Sequence, residues 1–371
     1  MAERLADLLH RTVDDLPIPH PDTPAIAAAG RARRTRRRVG TITAAAVVVA
    51  VAGVGTAVVA GLDDGPTRNS HVATQDPADE AYAALGAWAV GEHVVVGDGS
   101  ADLSPAPHHL AQTSVGLVTQ QFGSTGGKPF SLVRPDGTVT PLAIPADAWS
   151  VAGDPRGARV AWLEPLVKEG RIHVWDVASD KELATVRVDL PGELPEGSTS
   201  GVREVQLDGD FAYVGTGRRT AQRVDWRTGD VKELPFSPVA VHDGVATSMN
   251  DDGSSTGWTV VDAATGDVIR DLGRRISTTT LSPDGDHVVV VRSDGDGSVA
   301  TIEPTAGGTP VELPGFTGMS SWSVGGRVVG QVDGTSTLRR CDVDGRCEDA
   351  PIPWIDEENP LVLPADYLML G

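Results

Sequence analysis

The sequence predicts an all-β protein, a β-propeller of about seven four-stranded blades, preceded by one transmembrane helix. Three observations lead there. A phrase of two short β-rich runs around a Gly or Asp turn returns six times in the C-terminal part of the chain. A second kind of hairpin separates the copies. An uncharged run, VGTITAAAVVVAVAGVGTAVVAGL, occupies residues 39–62.

The six phrases are SLVRPDGTVTPL from Ser131, HVWDVASDKELATV from His173, QRVDWRTGDVKELP from Gln222, WTVVDAATGDVIRDL from Trp258, VATIEPTAGGTPVELP from Val299 and LRRCDVDGRCEDAPI from Leu338. If Gly137, Asp180, Gly229, Gly266, Gly308 and Gly345 are equivalent turn positions, the steps between them run from 37 to 49 residues and average 41.6. Propeller blades of the WD type repeat every ~40–45 residues. Between the phrases lie VREVQLDGDFAYVGTG, STTTLSPDGDHVVVVRS and SSWSVGGRVVGQVDG, each with a Gly-containing turn between β-branched runs. Each period therefore holds four strands. The run Val288-Val289-Val290-Val291 does not alternate, as expected of a strand covered on both faces by neighbouring blades. Residues 80–371 divided by this period give seven blades, although only six complete phrases can be named. The remainder comes from opposite ends: WAVGEHVVVGDGSADL from Trp88 and PWIDEENPLVLPADYLML from Pro353. Sharing one closing blade would join them and leave no open sheet edge. Six blades with frayed ends is the alternative.

The segment 39–62 is long enough to span the ~30 Å hydrocarbon layer as a helix. Arg31, Arg33, Arg34, Arg36, Arg37 and Arg38 precede it and Asp63 and Asp64 follow, so the positive-inside rule places residues 1–38 in the cytoplasm and the rest outside. A cleaved signal peptide ending near Val58-Val59-Ala60 competes with this reading, but 38 residues is long for its charged leader. In the cytoplasmic segment Leu5, Leu8, Leu9, Val13 and Leu16 recur at helical spacing, and Pro17, Pro19 and Pro21 end the pattern. This predicts an amphipathic helix over 2–16, whose face of Leu5, Leu8, Leu9 and Val13 is a candidate docking surface. Asp7, Asp14 and Asp15 on its polar side disfavour anionic lipid. A Pro/Ala-rich linker and the Arg cluster complete residues 1–38. Residues 63–79 read as a second linker and 80–371 as the extracytoplasmic propeller.

The chain has 51 acidic and 31 basic residues, four of them Lys, and a formal charge of -20. That charge excludes a general nucleic-acid binder, which needs surplus cations to displace phosphate counterions. Residues 63–371 carry 23 basic and 46 acidic side chains, which favours basic or neutral partners.

Cys341 and Cys347 are the only cysteines and straddle the turn Asp342–Arg346 between two predicted strands, so outside the cytoplasm they should form a disulfide. Two thiols without a neighbouring His fall short of zinc's four ligands. The acidic loops Asn250-Asp251-Asp252-Gly253, Asp284-Gly285-Asp286 and Asp294-Gly295-Asp296-Gly297 do not complete the calcium-loop pattern and read as β-turns. His108, His109, His173, His242 and His287 stand in no HExxH motif, and no GxSxG elbow or P-loop exists. Eight Trp, about one per blade, are expected to pack between blades. No catalytic, cofactor or metal residues are assigned.

The phrases HVWDV and LSPDGDHVVVV resemble WD-repeat and TolB-like propellers, and VVDAATGDVIRDL resembles the YVTN and quinoprotein-type repeats. The layout as a whole is similar to actinobacterial membrane-anchored propeller proteins with little assigned function. Only His173-Val174-Trp175-Asp176 carries a Trp-Asp pair, and the Trp docking pattern of quinone-dependent enzymes is missing. The resemblance therefore implies a fold and a topology and no catalytic residues. The expected function is a single-pass, membrane-anchored binding module of the cell envelope, without chemistry of its own, taking a protein or envelope ligand on one propeller face. The alternative is an extracytoplasmic hydrolase or lyase with its site in the central channel.

Overall fold

Each of the six repeated phrases folds as the outer hairpin of a four-stranded antiparallel sheet. The structure, a computed structural model, describes residues 76–364 except 122–128, 147, 149–150, 166–168, 191–204, 216–219, 252–255, 294–297, 317, 319, 353–354 and 356–358. The expected transmembrane helix 39–62 and the cytoplasmic helix 2–16 lie outside the described residues. Among the described residues no helix is long and apolar enough to cross a membrane.

Seven sheets make seven blades. Blade 2 contains β4 (Pro107–Thr113), β5 (Gly116–Gln121), β6 (Phe130–Val133) and β7 (Val139–Pro141). Blade 3 contains β8 (Ala152–Asp154), β9 (Arg159–Pro165), β10 (Glu169–Asp176) and β11 (Lys181–Asp189). Blade 4 contains β12 (Val205–Asp208), β13 (Phe211–Gly215), β14 (Ala221–Asp225) and β15 (Val231–Leu234). Blade 5 contains β16 (Pro238–His242), β17 (Val245–Asp251), β18 (Thr256–Asp262) and β19 (Val268–Arg274). Blade 6 contains β20 (Ile276–Leu281), β21 (His287–Ser293), β22 (Ser298–Pro304) and β23 (Val311–Leu313). Blade 7 contains β24 (Ser320–Trp322), β25 (Val328–Gln331), β26 (Thr337–Cys341) and β27 (Cys347–Pro351).

Blade 1 joins the two ends of the ring. Its order is β28 (Leu361–Val362), β1 (Ala87–Val90), β2 (His93–Val96) and β3 (Gly99–Asp102). Ala89 pairs with Val362 and Val90 with Leu361, so the late strand takes the innermost place beside three early ones. The shared closing blade expected from the sequence is present, and the count is seven.

The six turn positions spaced through the sequence all link third and fourth strands. All six have positive φ, from 51° at Asp180 to 152° at Gly308, which explains why five of them are Gly. The Asp that begins several of these turns caps them: Asp225 Oδ1 accepts from the amides of Arg227 and Thr228, and Asp262 Oδ1 from those of Ala264 and Thr265.

The core is divided among the junctions. Seven apolar clusters each join two neighbouring blades. The valine run is the clearest case: Val288 and Val290 pack toward blade 5, and Val289 and Val291 toward blade 7. First strands contact first strands of the next blade, which places them around the axis. The outer strands β11, β15 and β27 are largely exposed.

Among the described residues, which begin at Asp76 within the expected linker 63–79, one helix, α1 (Pro77–Leu85), precedes blade 1. Asp76 caps its N-terminus, Pro77 sits where no amide is needed, and Gly86 ends it at φ 73°. Tyr82 is buried and donates from its hydroxyl to the carbonyls of Thr113 (2.9 Å) and Gly116 (3.2 Å), tying the helix to blade 2. Gly97 lies so close beneath it that a Cβ would stand 2.6 Å from the Tyr82 amide nitrogen.

Candidate functional site

Because the seven first strands surround the axis, a site in the central channel would draw on all of them. The axial cavity is lined by Gln112, Ala152, Gly153, Gln206, His242, Thr280, Ser321 and Pro364, among others, so every blade contributes. Its volume is about 30 Å³. That holds about two waters at ~10–15 Å³ each, far below the ~300–1,000 Å³ of small-molecule sites. The lining mixes polar side chains with Pro155, Leu281, Pro283 and Trp322, and Thr280 Oγ1 is buried without a hydrogen-bond partner.

Close packing produces this constriction. Gly153 has no room for a side chain, since a Cβ would lie 2.1 Å from the Gln112 carbonyl oxygen. At one mouth, turns between first and second strands are tied together by charge. Asp154 is 2% exposed, accepts from Arg159 Nη2 at 2.8 Å and takes the Arg156 amide at 3.0 Å. Burial raises its pKa, against the opposing effect of Arg159. Asp208 accepts from the amides of Asp243 (3.0 Å) and Gly244 (2.8 Å), joining blade 4 to blade 5. Arg156 of blade 3 forms an ion pair with Asp243 of blade 5, and Arg159 reaches Asp210 of blade 4 at 3.5 Å. These groups are committed to one another, and the network holds three blades in register. The sequence reading missed it. Its only trace there was an Asp at the end of two successive first strands.

The predicted site residues are distributed as follows. Cys341 and Cys347 pair directly across β26 and β27 and are joined as a disulfide. Leu5, Leu8, Leu9 and Val13 lie outside the described residues. His109 is buried with Nε2 2.8 Å from the Val151 carbonyl oxygen; burial lowers its pKa, and burial with the neighbouring His109 pushes His108 down to about 4. His173 lies on blade 3, stacked on Trp162 at 5.0 Å and flanked by Glu182 (2.6 Å) and Glu164 (3.3 Å). His242 faces the axial cavity. Trp88, Trp162, Trp226, Trp258 and Trp322 are buried at blade junctions, and Trp149 and Trp354 lie outside the described residues. Asp284 accepts from Ser282 Oγ at 2.6 Å and from the Asp286 amide at 3.1 Å, as a turn residue does. Among the described residues no group of three or more His, Cys, Asp or Glu is placed to hold a metal ion.

No family model matches the chain, and no curated protein matches it. Solved structures similar to it include Kuenenia stuttgartiensis hydrazine synthase, at 18% identity over 64% of this chain and 77% of that one with a TM-score of 0.44. TolB from Acinetobacter baumannii is 18% identical over 66% of this chain and 64% of that one, with a TM-score of 0.43. BamB from Moraxella catarrhalis is 12% identical over 71% and 81%, with a TM-score of 0.37. These likenesses concern the fold alone.

Proposed function

We propose that the chain is a single-pass membrane protein whose propeller stands outside the cytoplasm and binds a protein or envelope ligand on one face, with no chemistry of its own. The observation that carries the binding reading is the axial cavity of about 30 Å³, which leaves the faces and flanks of the blades as the places where another molecule fits. The rival reading, a hydrolase or lyase acting in the channel, needs a volume roughly tenfold larger. Three features support the topology: the uncharged run 39–62, the arginines before it and the aspartates after it. The Cys341–Cys347 disulfide favours an oxidising compartment. The excess of carboxylates favours a basic or neutral partner, and the face of Leu5, Leu8, Leu9 and Val13 is assigned to a cytosolic protein.

Two measurements test this. An impermeant protease added to intact cells should digest the propeller while an N-terminal tag survives, and the opposite pattern would sink the topology. Crosslinking of the full chain in its own membrane, followed by mass spectrometry, should recover a reproducible partner that salt releases. Recovery of none, together with turnover of a substrate by the purified chain, would replace binding by catalysis. Leu5→Ser with Leu8→Ser and Leu9→Ser should remove cytosolic partners alone.

A further inference from the structure

Blades diverge outward as wedges, while their innermost strands converge on the axis and have a sheet neighbour on one side only. The axial cavity sits at one end of these strands, because Pro155 and Pro283 of its lining belong to turns between first and second strands. In a four-stranded meander those turns and the turns between third and fourth strands share one face of the ring. That face is acidic. Asp98, Asp136, Asp230, Asp267 and Asp284 are exposed on it, from five blades. Of the exposed cations there, Arg156, Arg227 and Arg346 each form an ion pair with a carboxylate of the same face, and Lys181 adds one more charge.

The cavity supplies a second observation, independent of that charge. Thr280 of blade 6 lines it and is 8% exposed, and its buried Oγ1 has no hydrogen-bond partner. Ser321 of blade 7 gives its hydroxyl proton to the Trp322 carbonyl at 3.5 Å, which leaves its lone pairs to accept. Asp154 directly follows Gly153 of the lining, and its carboxyl interacts with Asp208 and with His242, which also lines the cavity. Together with Asp243, these carboxylates outnumber Arg156 and Arg159 around the mouth. The site therefore combines oxygen acceptors with a surplus of negative charge. Its volume of about 30 Å³ admits an ammonium, a single water-sized atom with three donors, and refuses the broader planar guanidinium.

We propose that the axial mouth is a socket for the ammonium of one lysine side chain, supplied by a basic protein segment lying across the acidic face. The socket rests on the binding reading above and adds to it the face and the chemistry of the partner. A flexible four-carbon stem carries the lysine tip inward while the partner's backbone stays on the surface, so a cavity too small for a free ligand is large enough.

The test is saturation-transfer NMR on the full chain in detergent, with the peptide Ac-GGKGG-amide as probe. It should bind with about millimolar affinity, and the same peptide with arginine or Nε-acetyl-lysine at the centre should bind at least about tenfold more weakly, the first through size and the second through loss of charge. Thr280→Val and Ser321→Ala should each weaken the lysine peptide about threefold or more without lowering the melting temperature. Absence of signal with the lysine peptide, equal binding of the lysine and arginine peptides, or wild-type affinity in both variants overturns the socket. Crosslinking reports separately whether the chain has a partner, so a recovered partner with no lysine-peptide signal removes the socket and leaves the binding reading standing.

Discussion

Glu303 gives the sharpest test of how the blades are held together. It is 1% exposed on β22 and accepts from Arg270 Nη2 of blade 5 at 2.5 Å, from Arg292 Nη1 at 2.5 Å and from Thr301 Oγ1 at 3.1 Å. The two arginines have further acceptors in the Pro304 carbonyl (2.7 Å) and the Leu272 carbonyl (3.2 Å), so both are fixed in place. Glu303→Gln keeps the volume and removes the charge, leaving two guanidinium groups around a neutral amide. Each charge-assisted bond contributes ~1.5–3 kcal/mol, and breaking a buried ion pair costs ~3–5 kcal/mol. Because the arginine side chains are 21% and 34% exposed, water takes up part of the loss, and the lower end, about 3 kcal/mol, is expected. At ~2–4 °C per kcal/mol for a large domain, the melting temperature should fall by about 6–12 °C. Scanning calorimetry measures this directly. The combined variant Arg270→Met, Arg292→Met, Glu303→Met should stay near the wild type, because removing all the charges leaves none unpaired. A loss under about 1 kcal/mol for Glu303→Gln, or an equal loss in the triple variant, would refute the reasoning.

Replacing both Cys341 and Cys347 by Ala should lower stability by ~2 kcal/mol, the loop entropy of a bridge spanning 6 positions, and a reductant should do the same to the wild type; urea unfolding reads both. Thr279 is 1% exposed and its Oγ1 has no partner, so Thr279→Val should raise stability by ~1–2 kcal/mol, and a decrease would mean that the hydroxyl is bonded. His108 has its pKa lowered to about 4 by burial and by His109, while the unfolded imidazole titrates near ~6.5. The unfolded chain therefore takes up the proton first. Stability is full above ~6.5 and declines as pH falls toward 4, and His108→Gln should flatten that decline in unfolding midpoints measured across the window. Arg339 binds Asp349 through Nε (2.6 Å) and Nη2 (2.7 Å) and the Pro314 carbonyl through Nη1 (2.5 Å), so Arg339→Lys should lower the unfolding midpoint slightly despite keeping the charge, and an unchanged midpoint would show the fork geometry to be idle.

Much of the ring could be read in the sequence because its architecture depends on local chemistry. Gly229 and Gly266 mark outer turns because those turns need positive φ, and their spacing measures the blade. The valines at 288–291 break alternation because each face meets a different blade. The ends were matched by arithmetic, and among the described residues of the C-terminal tail Leu361 and Val362 pair with β1. Blade 1 lacks a full phrase because its inner strand comes from the other end of the chain and its outer turn is the short Gly97-Asp98. Contacts between blades were not legible. Arg270 and Glu303 are 33 residues apart, and nothing in either local pattern says that radial packing brings them together.

The composition acquires a physical meaning in this light. Only four of 31 basic residues are Lys, an imbalance that says nothing by itself about structure. In the ring, Arg156, Arg159, Arg270 and Arg339 all reach across to a neighbouring or next-nearest blade, and Arg340 Nε donates to the Leu85 carbonyl of α1 at 3.0 Å. A wedge widens outward, so the side chain that closes it must be long, keep its charge when half-buried and satisfy several acceptors with one rigid head. Guanidinium meets those demands and ammonium does not. Between blades 4 and 5 the crossing on the outer strands is made by Lys232, with a single bond to Ala264, while Arg223 turns onto Phe211 instead of reaching over.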